Sequence, residues 1–520
     1  MLEDARFSMY RQTVAFFTWL GFRDQKVYPL EAPAPGAVRF RPYATAFPGM
    51  PIARLYDAED FPASDMPAPR LKRITRGRAL FGAAEAMAPS TTPPVPQDEA
   101  AFLDVVYPAS FRKAWPRPPC APRALVAPGA DVVAEIAVRG PFASYLRRAT
   151  GDDVQAQWAA STDQYLIDLS WLLAYPAQPG LMPPGGTAVL DVRGRALETV
   201  AIHRGAGQVA RPGAPDYLRA RAAFLAGINE DLTTFRHNLS THLSTLTAFA
   251  LASNNRLGPA HPVRRLLHHA FHTVLIGNRE VAEFQLSGPR GFSATIFSHD
   301  AAVLARMADD YLARFDVWDF ELPAQFARRG TTTTPFDYPY RDNVLQVWEA
   351  TRAYTDAYLR VYYDGDAAVR ADREVGEWAD ELERLVPNGV RRPADGLSRD
   401  WLARLCATLL HLSVAEHDVL NNLVWDYSTI GWIIPTVAPE SGAPMDCRRA
   451  FDLVATIIGT WKPYNMLLTA SVPSLALDPR GRAVMQEWID RLGAIQRDME
   501  RAGTRPDLTY PKGWNVSISN

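Results

Sequence analysis

The stretch DLTTFRHNLSTHLSTLTAFALASNNRLGPAHPVRRLLHHAFH, residues 231–272, predicts a helix that carries two histidines five positions apart, His237 and His242. We expect this helix to begin near Asn229 or Asp231. In a regular α-helix, five steps of about 100° leave two side chains about 140° apart, too divergent to share one metal ion. A π-type turn brings both onto one face. From the spacing alone, one core and one surface histidine is the commoner arrangement, so both interpretations stay open.

The stretch SRDWLARLCATLLHLSVAEHDVLNNLVWDYSTIGW, residues 398–432, predicts a second helix, with the Ser398 hydroxyl as its N-cap. Positions at steps of four, four, three, four and four form one inward seam, made of Leu402, Cys406, Leu410, Ser413, His417 and Asn421. Two ligand-capable groups, His417 and Asn421, therefore lie one turn apart on the buried side. Taken alone, this segment favours a buried histidine hydrogen-bonded to a neighbouring asparagine over a metal ligand.

The other histidines are weaker candidates for metal ligation. His268 and His272 are one turn apart, but no HExxH pattern supplies a third ligand or a general base, so a zinc-protease interpretation fails. We assign the remaining five to packing or to the surface: His203, His261, His269, His299 and His411.

Composition excludes several classes of protein. The chain has 520 residues and a formal net charge of -2, so it lacks the basic footprint of a nucleic-acid partner. Its three cysteines, Cys120, Cys406 and Cys447, predict a reducing, cytoplasmic compartment. Secretion stays as the minority alternative, because the N-terminal apolar stretch follows Glu3 and Asp4 and no small-residue cleavage site comes directly after it. No apolar run reaches the ~18 residues of a transmembrane helix, which leaves peripheral membrane contact open.

The pattern along the chain predicts a mainly α fold with a small β element and an irregular, proline-rich N-terminal region. Of the 42 prolines, 19 lie in the first 130 residues, where extended chain wrapped on something else is expected. Residues 187–202 predict a β-hairpin with its turn at Arg193 and Gly194, and residues 342–363 predict a long amphipathic helix. We expect one domain over residues 1–520, with residues 1–150 as the wrap.

Together, the two histidine segments resemble the lipoxygenase family. The family landmarks are His-x-x-x-x-His, then His-Pro and Leu-Leu-His, a Tyr-Pro-Tyr segment, a Tyr-Tyr pair, Asp-Arg-Glu before a Trp, His-x-x-x-Asn, and an Asn-Ser-Val-Ser-Ile end. The matching residues here, in order, are His237, His242, His261-Pro262, Leu266-Leu267-His268, Tyr338-Pro339-Tyr340, Tyr362-Tyr363, Asp372-Arg373-Glu374, Trp378, His417, Asn421 and Asn515-Val516-Ser517-Ile518. The likeness covers roughly residues 150–520.

The resemblance implies a mononuclear non-haem iron, with manganese as the alternative, held by three imidazoles, an asparagine oxygen and the carboxylate at the end of the chain. Carried across, the ligands are His237, His242, His417, Asn421 and the terminal Asn520. Such a nitrogen and oxygen set suits a redox-active divalent metal. The implied reaction abstracts a hydrogen atom from a doubly allylic methylene of a polyunsaturated fatty acid or related lipid. Addition of O2 then gives a hydroperoxide.

The chain departs from the family pattern in several places. If Ile518 aligns with the family's closing residue, two residues overhang, and either the last turn shifts so that Asn520 reaches the metal or the fifth ligand is lost or replaced. The family's outer His-Gln pair and a further Gln are replaced by Leu232, Thr233 and Val424. Fewer than 150 residues precede the matched region, so we expect a minimal, bacterial-type member without the N-terminal β-sandwich domain.

These departures keep two alternatives open. One is an oxygenase or hydroperoxide isomerase of the same fold that acts on another unsaturated substrate. The other is a non-catalytic lipid-binding relative, which the complete ligand set disfavours because a binding protein gains nothing from converging buried polar side chains without a metal. The sequence does not specify the oligomeric state.

Overall fold

The computed structural model describes residues 2–23, 30–33, 86, 88–89, 91–115, 117–205, 207–286, 291–460, 466–502 and 511–518. The predicted terminal ligand, Asn520, and much of the proline-rich N-terminal region lie outside these residues. The described chain is mainly helical with a small antiparallel sheet, which confirms the predicted fold class.

The α-helices span Leu2–Arg23, Glu99–Val106, Ala109–Ala114, Arg123–Val126, Val132–Val138, Gly151–Gln155, Tyr217–Glu230, Thr247–Arg256, Pro262–Leu267, Val274–Glu280, Phe292–Ile296, Ala301–Leu312, Leu322–Arg328, Pro339–Tyr362, Asp366–Ala371, Arg373–Leu385, Arg399–His411, His417–Asn421, Cys447–Thr460 and Pro479–Arg501. Within the described residues, three segments have π-helical hydrogen bonding: Asp231–Leu246, Val281–Leu286 and Leu412–Glu416. Among the described residues, no helix is both long enough and apolar enough to cross a bilayer.

In the part of the chain that the structure describes, the sheet contains five antiparallel strands in chain order: β1 (Arg147–Arg148), β2 (Tyr165–Leu169), β3 (Gly186–Arg193), β4 (Ala196–His203) and β5 (Val209–Ala210). Strands β3 and β4 form the predicted hairpin, but its turn is Gly194 and Arg195, one residue later than predicted, because Arg193 still pairs with Ala196. Gly194 has a φ of 63°, the positive value that the first central position of a tight hairpin turn requires. Apolar alternation and one glycine thus determine this element.

The helix Pro339–Tyr362 packs between two other helices of the helical body. Its buried face carries the apolar and aromatic residues that the sequence predicted, among them Val344, Val347 and Trp348. Tyr354 stacks on Trp488 of the helix Pro479–Arg501, with ring centroids 4.5 Å apart and an interplanar angle of 9°. On the other side, Thr355 Oγ1 donates to the backbone oxygen of Ala403 at 2.9 Å. This contact connects Pro339–Tyr362 to Arg399–His411, the first helix of the second histidine segment.

The N-terminal helix Leu2–Arg23 buries one of its faces. Phe7, Tyr10 and Val14 are buried, whereas Met9 and Phe16 are exposed. Tyr10 Oη donates to Asp452 Oδ1 at 2.9 Å, which fixes the helix against the helix Cys447–Thr460.

The described part of the proline-rich region includes extended chain that contacts the main body. Val95 N donates to the backbone oxygen of Met445 at 2.8 Å, and Cys447 N donates to that of Pro93 at 2.9 Å. One contiguous cluster of buried apolar side chains runs from Phe7 to Ile518. The division into a wrap and a matched core stays a prediction.

The first histidine segment is part of a longer helix than the sequence predicted. Helical backbone runs without a break from Tyr217 to Arg256, so Asn229 and Asp231 are interior residues and not caps. The Asp231 carboxylate instead accepts hydrogen bonds from Tyr145 Oη at 2.5 Å and Trp171 Nε1 at 3.1 Å. Asp231 therefore bonds to residues distant in sequence and does not cap a helix.

Candidate metal centre

The π-helical backbone of Asp231–Leu246 places His237 and His242 on the same side of the helix. Their ring centroids are 4.8 Å apart. Two threonine hydroxyls support this geometry, because each donates to the carbonyl oxygen five residues earlier. Thr241 bonds to Arg236 at 3.0 Å and Thr247 bonds to His242 at 2.9 Å. In an α-helix such hydroxyls reach the third or fourth preceding carbonyl, so these contacts match the wider turn.

The second histidine segment begins with the predicted cap, in which Ser398 Oγ accepts from Trp401 N at 3.1 Å. Regular helix from Arg399 to His411 passes into π-helical backbone at Leu412–Glu416 and then returns to α-helix at His417. All six residues of the predicted seam are buried. The segment therefore places His417 in the interior, where it faces the first histidine segment.

The structure brings His237, His242 and His417 together. His242 Nε2 lies 3.2 Å from His237 Nε2 and 3.0 Å from His417 Nε2. The three histidines are 7%, 1% and 2% exposed, so their ring nitrogens are shielded from solvent. Among the described residues, they are the cluster of histidine, cysteine or acidic side chains that is arranged to hold a metal ion.

Asn278 sets the tautomer of the central ring. Its Nδ2 donates to the His242 backbone oxygen at 2.7 Å and to Thr247 Oγ1 at 2.6 Å, which leaves its Oδ1 facing His242 Nδ1 at 2.7 Å. Nδ1 must therefore carry the proton, and the lone pair of Nε2 points into the cluster. Sequence reasoning missed this residue, and nothing in the linear pattern around Asn278 indicates its partner 36 positions away.

Burial keeps all three rings neutral. It lowers the pKa of His242 to about 4 and those of His237 and His417 well below the ordinary value. Neutral imidazoles are the form that binds metals, and three ring nitrogens that meet without a carboxylate or carbonyl between them fit a divalent transition metal. The donor set thus agrees with the metal that the resemblance implies.

Asn421 is buried one helical turn after His417, on the same helix His417–Asn421. Positions four apart share a face, so the asparagine lies on the side of the helix that carries the imidazole.

The C-terminal tail also enters the interior. His269 Nδ1 donates to the Val516 backbone oxygen at 3.2 Å, and Ser517 Oγ donates to that of His272 at 2.6 Å. Ile518 is 0% exposed, and Asn520 lies just beyond the described residues. The tail is therefore anchored beside the turn His268–Phe271, which Ser413 of the second histidine segment also contacts, through the Ala270 oxygen at 2.9 Å.

The remaining histidines lie outside the cluster, and several have protein partners. His261 Nε2 lies 3.0 Å from Asp372 Oδ2, and His299 Nδ1 lies 2.9 Å from Glu230 Oε1. His411 packs its ring against Trp348 with centroids 5.7 Å apart. His268 and His272 are buried and His203 is half-buried.

A buried ion pair flanks the cluster and was also missed by sequence reasoning. Arg236 Nη2 donates to Glu416 Oε1 at 2.6 Å. Burial alone would raise the pKa of the Glu416 carboxyl, but the guanidinium and the Tyr340 hydroxyl hold it below its ordinary value. The available signal was the position of both charges, since each directly precedes a histidine of the cluster.

At the outer positions where the family carries polar side chains, Leu232 and Val424 are buried and Thr233 is half-buried. Apolar groups therefore occupy two of the three places, as the sequence indicated.

Comparison with known proteins agrees with this geometry. Residues 229–443 match the lipoxygenase family model. A linoleate 9/13-lipoxygenase of Pseudomonas aeruginosa is 30% identical over 212 residues, 40% of this chain and 30% of that protein. A hydroperoxide isomerase of Rattus norvegicus is 33% identical over 147 residues, 28% of this chain and 20% of that protein. The chain thus spans less than a third of the length of these curated relatives.

Solved structures show the same fold over nearly the whole chain. A coral 8R-lipoxygenase superposes with a TM-score of 0.75 at 17% identity, covering 93% of this chain and 79% of that one. A lipoxygenase variant in complex with arachidonate gives 0.73 at 16% identity, with 93% and 80% covered. The class is thus a helical domain built around a buried histidine cluster. The lipoxygenase family model matches the part of the chain that contains both histidine segments.

Proposed function

We propose that this chain is a non-haem iron dioxygenase that inserts O2 into a polyunsaturated fatty acid or related lipid to give a hydroperoxide. The observation that carries the proposal is the meeting of three buried, neutral imidazoles from two separate segments. His242 lies within 3.2 Å of His237 and 3.0 Å of His417, measured between Nε2 atoms. A buried polar cluster of this kind is costly unless a cation satisfies it.

The residues of the centre would act by holding and orienting the metal. His237, His242 and His417 would be the nitrogen ligands, Asn421 a weak oxygen ligand, and the carboxylate of Asn520 a further oxygen ligand. Bound iron, or manganese in its place, would supply the one-electron chemistry that hydrogen abstraction from a doubly allylic methylene requires. Asn278 keeps the His242 lone pair directed inward.

The substrate class is supported by relatives. The Pseudomonas protein is named for linoleate, and one similar lipoxygenase structure contains arachidonate. We propose the same class of substrate here, and a cytoplasmic location, which the free cysteines Cys120, Cys406 and Cys447 support.

A second candidate function is hydroperoxide isomerisation in the same centre. It is favoured by the similarity to the rat isomerase over 147 residues and by the apolar side chains at Leu232 and Val424. Loss of outer polar partners alters the electronic properties of a metal centre, so the balance between oxygenation and isomerisation can shift.

Metal analysis of the purified protein, followed by oxygen uptake and conjugated-diene absorbance with a panel of polyunsaturated fatty acids, tests the proposal. We expect about one iron per chain and oxygen uptake with at least one fatty acid. Protein that contains neither iron nor manganese after expression in supplemented medium would contradict the enzyme hypothesis. Metal without oxygen uptake, together with consumption of a fatty acid hydroperoxide, would establish the isomerase alternative.

A further inference from the structure

A buried ion pair joins the two histidine segments directly beside the cluster. Arg236 precedes His237 in the π-helical segment Asp231–Leu246, and Glu416 precedes His417 at the end of the π-helical segment Leu412–Glu416. The Arg236 Nη2 to Glu416 Oε1 distance is 2.6 Å, and the side-chain exposures are 9% and 2%.

Aromatic side chains complete the surroundings of the pair. Tyr340 Oη donates to the second carboxylate oxygen, Glu416 Oε2, at 3.0 Å. The Arg236 guanidinium lies over the Tyr145 ring, 5.5 Å from its centroid. Both oxygens of Glu416 therefore have partners, and the cation has a π face as well as its carboxylate. Each partner comes from a different part of the chain, so the pair has one geometry in the folded protein.

Such a pair contributes little to net stability, because removing two charges from water costs about as much as their attraction returns. A geometric role is more consistent with its position. Consecutive residues on a helix point in different directions, so the ion pair and the imidazole contact touch at two neighbouring points around each helix. One contact point would let the segments pivot about each other, whereas two points fix both rotation and translation.

We propose that Arg236 and Glu416 form a positioning pair that holds the two histidine segments in the one register where their imidazoles converge. This proposal rests on the metal centre proposed above. Its specific content is that the pair sets metal affinity and metal geometry while contributing little to the free energy of unfolding.

The experiment replaces both charges by apolar side chains of similar length, in the double variant R236M/E416M. We expect its thermal unfolding midpoint in the metal-free form to stay close to that of the wild type. Its metal affinity, measured by competition with a chelator, should fall by about 10- to 100-fold, the range seen when outer partners of metal ligands are removed. The electron paramagnetic resonance spectrum of the ferric protein should change as well, since ligand geometry determines it.

A second arginine–glutamate pair, whose arginine lies on the helix Arg399–His411, serves as a control. Arg404 donates to Glu321 through Nε at 2.9 Å and Nη2 at 2.7 Å, a bidentate pair away from the imidazoles. The variant R404M/E321M removes two charges of the same kinds, and we expect it to leave metal affinity and spectrum unchanged. The charge-exchanged variant R236E/E416R restores the attraction with reversed polarity and should recover part of the lost affinity.

The outcomes separate this proposal from the proposed function. A wild-type protein that binds no metal contradicts both. Metal-loaded wild type together with an R236M/E416M variant of equal affinity and spectrum overturns the positioning role and leaves the metal centre intact. Equal effects of R404M/E321M would also overturn it. If R236M/E416M does not fold, Glu416→Gln, which keeps the shape and weakens the attraction, is measured in its place with the same criteria.

Discussion

Two groups of buried histidines can be compared in this protein, because they differ in what their ring nitrogens face. In the cluster, His242 Nε2 faces the Nε2 atoms of His237 and His417 at 3.2 and 3.0 Å. Elsewhere, His299 faces the Glu230 carboxylate at 2.9 Å, and the His261 ring lies 3.0 Å from Asp372. Burial is therefore not what marks a ligand. Rings that face one another need a cation from outside the chain, whereas rings that face a carboxylate have an acidic partner within it.

The electrostatic consequences are opposite. Burial lowers the pKa of His242 to about 4, and the hydrogen bond to Asn278 only partly offsets this effect. His299 is equally hidden, and burial alone would lower its pKa as well, but the Glu230 carboxylate raises it above the ordinary value. The first ring stays neutral and free for a metal, and the second is protonated more readily than an ordinary histidine.

The largest effect on metal binding is expected from replacing a histidine of the cluster, compared with replacing a buried histidine outside it. We predict that His417→Ala abolishes metal retention, because it removes one of three converging nitrogens and leaves two that cannot close the site. His268→Ala should retain the metal, since His268 is buried outside the cluster. Metal content after exchange into metal-free buffer measures both. Equal loss in the two variants would show that the ligand assignment is wrong.

His411 is a further buried histidine that belongs to neither group. Neither of its ring nitrogens has a hydrogen-bond partner in the described chain. Burial lowers its pKa from 6.5 to about 4. Between these values the unfolded state binds more protons than the folded state, so stability is fully present above pH 6.5 and falls as the pH falls towards 4. This one ring accounts for a loss of about 3 kcal/mol at pH 4.

His411→Phe keeps an aromatic ring against Trp348 and removes the titration. We predict that the drop in unfolding free energy between pH 7 and pH 4 becomes smaller by about 3 kcal/mol, measured by urea denaturation of the metal-free protein. An unchanged drop would mean that His411 is protonated in the folded state or satisfied by water.

The elements that could be predicted are those in which local pattern and tertiary environment agree. The hairpin followed from apolar alternation around Gly194, and the buried face of Pro339–Tyr362 followed from helical spacing. The start of the first histidine helix was wrong, because Asn229 and Asp231 have the composition of a cap but lie inside a continuous helix. Asp231 is held by Tyr145 and Trp171, which are distant in sequence.

The candidate site divides in the same way. The spacing of His237 and His242 indicated that a π turn was needed, and family resemblance supplied the third histidine. The length of the π-helical backbone, Asp231–Leu246, was not predictable, since it depends on which carbonyl each threonine hydroxyl reaches. Asn278 and the pair of Arg236 with Glu416 were missed because their partners lie 36 and 180 positions away. Local periodicity carries no information on such contacts.

A smaller effect is expected from the residue that fixes the tautomer of His242. We predict that Asn278→Ala weakens metal binding by about 10- to 100-fold without abolishing it, because the ring keeps its position but loses the acceptor that holds its proton on Nδ1. Chelator competition measures the change. The surface variant Asn388→Ala loses two asparagine hydrogen bonds to backbone carbonyls far along the chain and serves as the control. Affinity equal to wild type in Asn278→Ala would show that the tautomer is set in another way.

The smallest effect concerns the C-terminal tail. Ser517 Oγ donates to the His272 backbone oxygen at 2.6 Å, and Ser517→Ala removes this buried bond at a cost of about 1 kcal/mol. If the tail only packs against the core, the unfolding midpoint falls slightly and metal affinity does not change. If the chain terminus also reaches the metal, the looser tail lowers both. Deletion of Ser519 and Asn520 distinguishes the ligand: improved binding would assign the carboxylate to Ile518, and weakened binding would assign it to Asn520.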